Sequence, residues 1–167
     1  MLARASLIMA VLLSFLALSS CSKSAPVPTS TVLPSDRVAP SPVGTSQTVL
    51  QKTFNLKDSE TFPFEIPAHA SQPHLHGIFE SFLGKVHGVS DESSNIDFLI
   101  MNEEQESALL ANRASEALFS VESSHNQAVN FDLPASMNHP VKYYLVFRSS
   151  EKSKNSKVVE ANFRVDF

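Results

Sequence analysis

Tryptophan is absent from this 167-residue chain, glycine occurs 4 times, tyrosine 2 times and cysteine once. A single cysteine excludes an internal disulfide framework and any multi-cysteine zinc knuckle. So few glycines leave little room for loops that press backbone against a phosphate. Neither a P-loop nor a G-x-S-x-G nucleophile elbow occurs, and Gly84-Lys85-Val86-His87-Gly88 matches no such motif. H-E-x-x-H and an Asp-x-Asp-x-Asp-Gly calcium loop are also missing. Positive charge is in deficit, 13 Lys and Arg against 17 Asp and Glu for a formal −4, which argues against nucleic acid as a partner. No apolar run reaches the ~20 residues of a membrane-spanning helix.

What is present divides into three unlike segments. Residues 1–20 carry Arg4 near the start, no acid, and an apolar stretch from Leu7 to Leu18. As a helix that stretch spans roughly 18 Å, well short of a bilayer core of about 30 Å. It suits the hydrophobic region of a signal peptide, which runs to about 7–15 residues. Leu18-Ser19-Ser20-Cys21 then resembles the lipobox of bacterial lipoproteins: a branched apolar residue, two small residues and a cysteine. Small side chains admit the segment to a narrow peptidase site, and a thiol is the nucleophile needed to form a thioether with a diacylglyceryl donor. The resemblance implies cleavage before Cys21, lipidation of Cys21 with palmitate-type chains, and anchoring stronger than the two-signal threshold. Ser22, rather than aspartate, follows the cysteine. In enterobacterial lipoproteins that implies an outer-membrane location facing the periplasm.

Residues 21–47 read as the lipidated cysteine and a disordered linker. They hold half of the 10 prolines, many Ser and Thr, and no apolar periodicity, so burial cannot offset the entropy of ordering. As a random coil the linker reaches roughly 30 Å, and in polyproline geometry about 80 Å.

Residues 48–167 form the expected folded domain, with ten basic against sixteen acidic residues, a formal −6. Period-two alternation dominates: Phe62, Phe64 and Ile66; Ile96, Phe98 and Ile100; Val129, Phe131 and Leu133; and Val159 through Phe167. Such patterns predict strands with one buried and one wet face. Tyr143 to Phe147 is apolar on both faces and predicts a central, covered strand. Further strands are expected near 49–56, 75–83, 85–89 and 116–122. One helix is expected after Asn102, which caps it with Gln105 three positions on, and ending by Asn112. Eight or nine short strands and one helix predict an all-β fold, an antiparallel, jelly-roll-like β-sandwich.

Ile96-Asp97-Phe98-Leu99-Ile100-Met101, the short helix, Tyr143-Tyr144-Leu145-Val146-Phe147 and Lys157-Val158-Val159 together resemble the second half of GOLD-type and pre-peptidase C-terminal β-sandwich modules. Val141 and Lys142 stand where those modules commonly carry glycine before the tyrosine strand. The resemblance implies an accessory or protein-binding module and transfers no catalytic residue.

The residues themselves offer two chemistries. His74-x-His76 puts two imidazoles on one strand face with His69 upstream, so zinc or copper binding is one expectation, needing a further ligand such as His87 or His125. A hydrolase would need a serine, a histidine and a carboxylate that only the fold could assemble. The alternation ending at Phe167 also invites comparison with an outer-membrane barrel, but aromatic girdles are missing. The reading is therefore a non-catalytic, lipid-anchored envelope protein without cofactor, acting as a protein- or ligand-binding accessory or assembly module. Its partners are the membrane, through Cys21, and an envelope protein, with no nucleic acid.

Overall fold

The computed structural model describes residues 42–84, 92–149 and 156–167. The leader, Cys21, most of the linker, the strand expected over 85–89 and His87 lie outside them. Among the described residues there are eight strands: β1 (Ser46–Leu56), β2 (Ser59–Ile66), β3 (His74–Leu83), β4 (Ile96–Asn102), β5 (Phe119–Ser124), β6 (Asn126–Asp132), β7 (Val141–Ser149) and β8 (Lys157–Asp166). Helix α1 (Glu103–Leu110) follows β4, and a 3-10 turn (Glu92–Ser94) precedes it.

The strands form two four-stranded sheets, ordered β1-β8-β3-β6 and β2-β7-β4-β5, with every pairing antiparallel. Apart from the β4–β5 step, the chain changes sheet at each successive strand. That interleaved order is the eight-stranded jelly roll, so the expected sandwich is the observed one. The terminal strand β8 lies inside the first sheet between β1 and β3.

Alternation explains the core. Phe79, Phe98, Phe147 and Phe163 are fully buried between the sheets. The Phe98 ring centre lies 5.1 Å from both Phe147 and Phe163, stacked on the latter with planes 10° apart. Offset and tilted ring pairs of this kind add to the burial of apolar area. Gly77 lets Phe163 take that place. A Cβ built there would stand 2.6 Å from Phe163 Cδ1 and 2.3 Å from the Asn162 carbonyl oxygen.

The second sheet is covered on its outer face as well. Met101, Tyr144 and Val146 are buried there beneath α1 and the segment after it, with Leu99, Leu109 and Ala117 packed around them. This explains why β7 is apolar on both faces. The helix begins with the expected capping box: Asn102 accepts from the Gln105 N–H at 2.8 Å, and the Asn102 N–H donates to Gln105 Oε1 at 2.9 Å.

Two boundaries differ from expectation. β1 starts at Ser46, inside the stretch read as linker, because Ser46 pairs with Asp166 and Phe167 N–H donates to the Thr45 carbonyl. β5 runs over Phe119–Ser124 rather than 116–122. Its pairing with β4 shifts between Ile96 and Phe98, and Ser123 there takes φ 50°, the left-handed region uncommon outside glycine.

Candidate functional site: paired histidines and aspartates on an open sheet face

The outer face of the first sheet carries the residues singled out by sequence. His74 and His76 leave β3 on that face with ring centres 6.0 Å apart and planes 20° from parallel. Strand register then supplies partners from far along the chain. His74 lies between Asp132 on β6 and Asp166 on β8, and His76 between Asn130 and Arg164.

Each imidazole is engaged with a different carboxylate. His74 Nδ1 sits 2.6 Å from Asp132 Oδ1, so its Nδ1–H donates to that carboxylate. His76 Nε2 is shielded from solvent and lies 3.1 Å from Asp166 Oδ2, off the line of a hydrogen bond. That second contact is therefore electrostatic attraction rather than an aligned bond. Asp166 accepts from the Ser46 hydroxyl, and this bond does most to hold its carboxyl below the ordinary carboxylate range. Burial opposes it as the next largest effect, and His76, the Arg164 guanidinium and His74 each add a smaller lowering contribution. Ser71, Gln72, His74, Asp132 and Leu133 line a shallow recess beside the first pair.

The chemistry open to this arrangement follows from how the groups are used. A nucleophile site needs a hydroxyl facing an imidazole and a carboxylate behind it. Here the Ser46 hydroxyl donates to the carboxylate itself, the wrong order for activating it. Among the described residues no group of three or more His, Cys, Asp or Glu side chains is arranged to hold a metal ion. His69 stands in the β2–β3 connection with φ 64°, its N–H donating to the Met137 carbonyl at 2.8 Å. His125 is at the other end of β6, where its Nδ1 meets Asn95 Oδ1 at 2.9 Å. The fold thus brings His74 and His76 together but adds neither His69 nor His125 to them.

Sequence reasoning missed Asp132, Asp166 and Arg164 as partners. Alternation already placed Asp132 and Asp166 on wet faces, but nothing local to either reports which strands lie beside β3. A second polar cluster escaped it too. Asp97 accepts from Arg148 Nη2 at 3.1 Å and from the Ser123 N–H at 3.1 Å, pinning the left-handed residue of β5. The buried Lys157 ammonium donates to the Asn95 carbonyl nearby.

No protein-family model matches this chain, and no curated protein does. Among solved structures it is similar to the pre-peptidase C-terminal domain of a collagenase from Bacillus anthracis, at 10% identity and a TM-score of 0.39, over 71% of this chain and 89% of that one. The jelly-roll assignment rests on the strand order of this chain.

Proposed function

We propose that this chain is a lipid-anchored protein of the bacterial cell envelope, held through Cys21 on the periplasmic side of the outer membrane. Its jelly roll serves as a non-catalytic accessory or assembly module that binds a protein or ligand partner. The observation that carries the reading is the order Arg4, Leu7–Leu18, Ser19-Ser20, Cys21, with the only cysteine of the chain in the one place where lipidation needs it. The Pro-, Ser- and Thr-rich stretch after it is suited to hold a folded domain away from a membrane surface.

Two features of the domain support a binding role over catalysis. The polar groups gathered on this sheet face are used pairwise among themselves, His74 with Asp132 and Ser46 with Asp166. The outer face of the first sheet, with Gln51, Thr53, Ile78, Glu80 and Asn162 along an open groove, is broad and shallow rather than an enclosed pocket. The test is fractionation of cells expressing the wild-type chain and Cys21→Ser. Wild type should sediment with membranes and partition into detergent, and Cys21→Ser should lose the detergent partition. Equal behaviour of the two would refute the anchor. Cross-linking in intact cells, with the sandwich present on its tether, tests the binding half, and an absence of any specific adduct counts against it.

A further inference from the structure

A jelly roll exposes four edge strands, and edges are templates for unwanted pairing unless something blunts them. Three of the four here are blunted. β1 breaks register between Thr48 and Leu50 and carries Lys52 on its core-facing parity, the ammonium 5.3 Å from the Phe62 ring centre. β2 carries Pro63. Because Ser149 N–H donates to the Asp58 carbonyl, the alternation of the ladder turns the backbone of Pro63 to the free side, where its missing N–H does no harm inside the sheet. β5 is bent by Ser123 and its register shift.

β6 has none of these devices. Among the described residues it is hydrogen-bonded to a strand on one side only, β3, in unbroken register from Asn126 to Asp132. Ser81 N–H donates to the His125 carbonyl, and Leu133 N–H to the Pro73 carbonyl. An antiparallel ladder alternates strictly, so the residues at 125, 127, 129, 131 and 133 turn their backbone groups to β3. Asn126, Ala128, Asn130 and Asp132 therefore turn theirs outward. All four are exposed. Side chains of this chain cover two of these groups: the Gln127 amide the Ala128 carbonyl at 2.9 Å, and the Ser124 hydroxyl the Asn126 carbonyl at 3.2 Å.

That pattern is complementary to itself. Placed antiparallel to a second copy and centred on Val129, Asn126 meets Asp132 of the other copy and Ala128 meets Asn130. Both are pairs in which the outward backbone groups of each strand face those of the other. Gln127, Val129 and Phe131 fall on one face of both strands, and the only charge on β6, Asp132, faces a neutral amide. We propose that β6 is a self-pairing edge, through which two copies of this chain join their first sheets into one continuous eight-stranded sheet. The interface is isologous, as closed dimers require. Copies tethered to one membrane would gain from a high effective concentration, though the pairing does not depend on the anchor.

The test is sedimentation velocity on the full chain in detergent, with Asn130→Pro and Ala128→Lys. The first removes an outward N–H, as Pro63 does on β2; the second leaves every backbone group in place and adds a charge at the seam. Thr53→Lys on β1 is the control. Wild type and control should sediment at twice the monomer mass, and both β6 variants at the monomer mass with the melting of the sandwich retained. A monomeric wild type overturns self-pairing and leaves an extended strand of another protein as the candidate for that edge. A dimer that survives in either folded β6 variant also overturns it. Should both variants misfold, amide exchange of wild type decides: Ala128 and Asn130 N–H must be protected in a concentration-dependent way, and free exchange refutes the proposal.

Discussion

Gly77→Ala is a severe change for one methyl group, and its cost follows from distances. The new Cβ would lie 2.3 Å from the Asn162 carbonyl oxygen, 2.6 Å from Phe163 Cδ1 and 2.8 Å from Phe163 Cα. Two of these three atoms are backbone of β8, the strand that joins β1 to β3, so rotating one ring does not relieve the clash. Either β3 and β8 separate locally or Phe163 leaves its stack on Phe98. Overpacking of this kind costs about 1–3 kcal/mol, and contact with backbone places Gly77→Ala near the top, about 3 kcal/mol. For a domain of this size that lowers Tm by about 10 °C. Gly84→Ala makes the contrast: it has φ +79° but nothing within 4 Å of the added Cβ, so only backbone strain opposes it, about 1 kcal/mol. Urea unfolding followed by circular dichroism measures both. A Gly77→Ala domain that unfolds within about 0.5 kcal/mol of wild type, the range of an ordinary surface change, would contradict this cost.

Two further outcomes follow from the polar contacts. The Asp166 carboxyl is held below its ordinary range by Ser46 and by the positive groups around it, so its stabilisation is complete above the unfolded value of about 4 and is lost as pH falls through the lower folded value. Asp166→Asn should therefore melt below wild type at neutral pH and converge with it in acid; a gap in Tm that persists at the lowest pH would contradict this. Asn102→Ala removes one half of the capping box and should cost about 1 kcal/mol in urea unfolding, with β4 and β7 intact, whereas Asn102→Asp should recover most of the loss.

The strands were legible because burial on one face imposes period two, which β2, β6 and β8 follow closely, while β4 departs from it at Met101, buried on the covered outer face. Helix α1 was legible from its cap rather than from an apolar stripe; Leu109 alone of its residues packs on the satellite core, which is why its outer side remains polar and Leu110 is exposed. Register was not legible. The pairing of His74 with both Asp132 and Asp166 joins residues 58 and 92 positions apart, fixed only when β3 finds β6 and β8. Lys157 broke the pattern in the other direction. It occupies a core-facing position because its ammonium reaches the Asn95 carbonyl, a contact no local sequence signal announces. The bend at β5 was hidden for the same reason, since the Asp97 carboxylate that holds Ser123 comes from the neighbouring strand.

Lipidation of Cys21 is read out by the intact mass of the chain extracted from membranes. The expected chain begins at Cys21 and is heavier than its amino-acid sequence by a diacylglyceryl group on sulfur and an acyl group on the new amine, with the added mass lost in Cys21→Ser. A membrane-extracted chain that retains residues 1–20, or one with an unmodified Cys21, would contradict it.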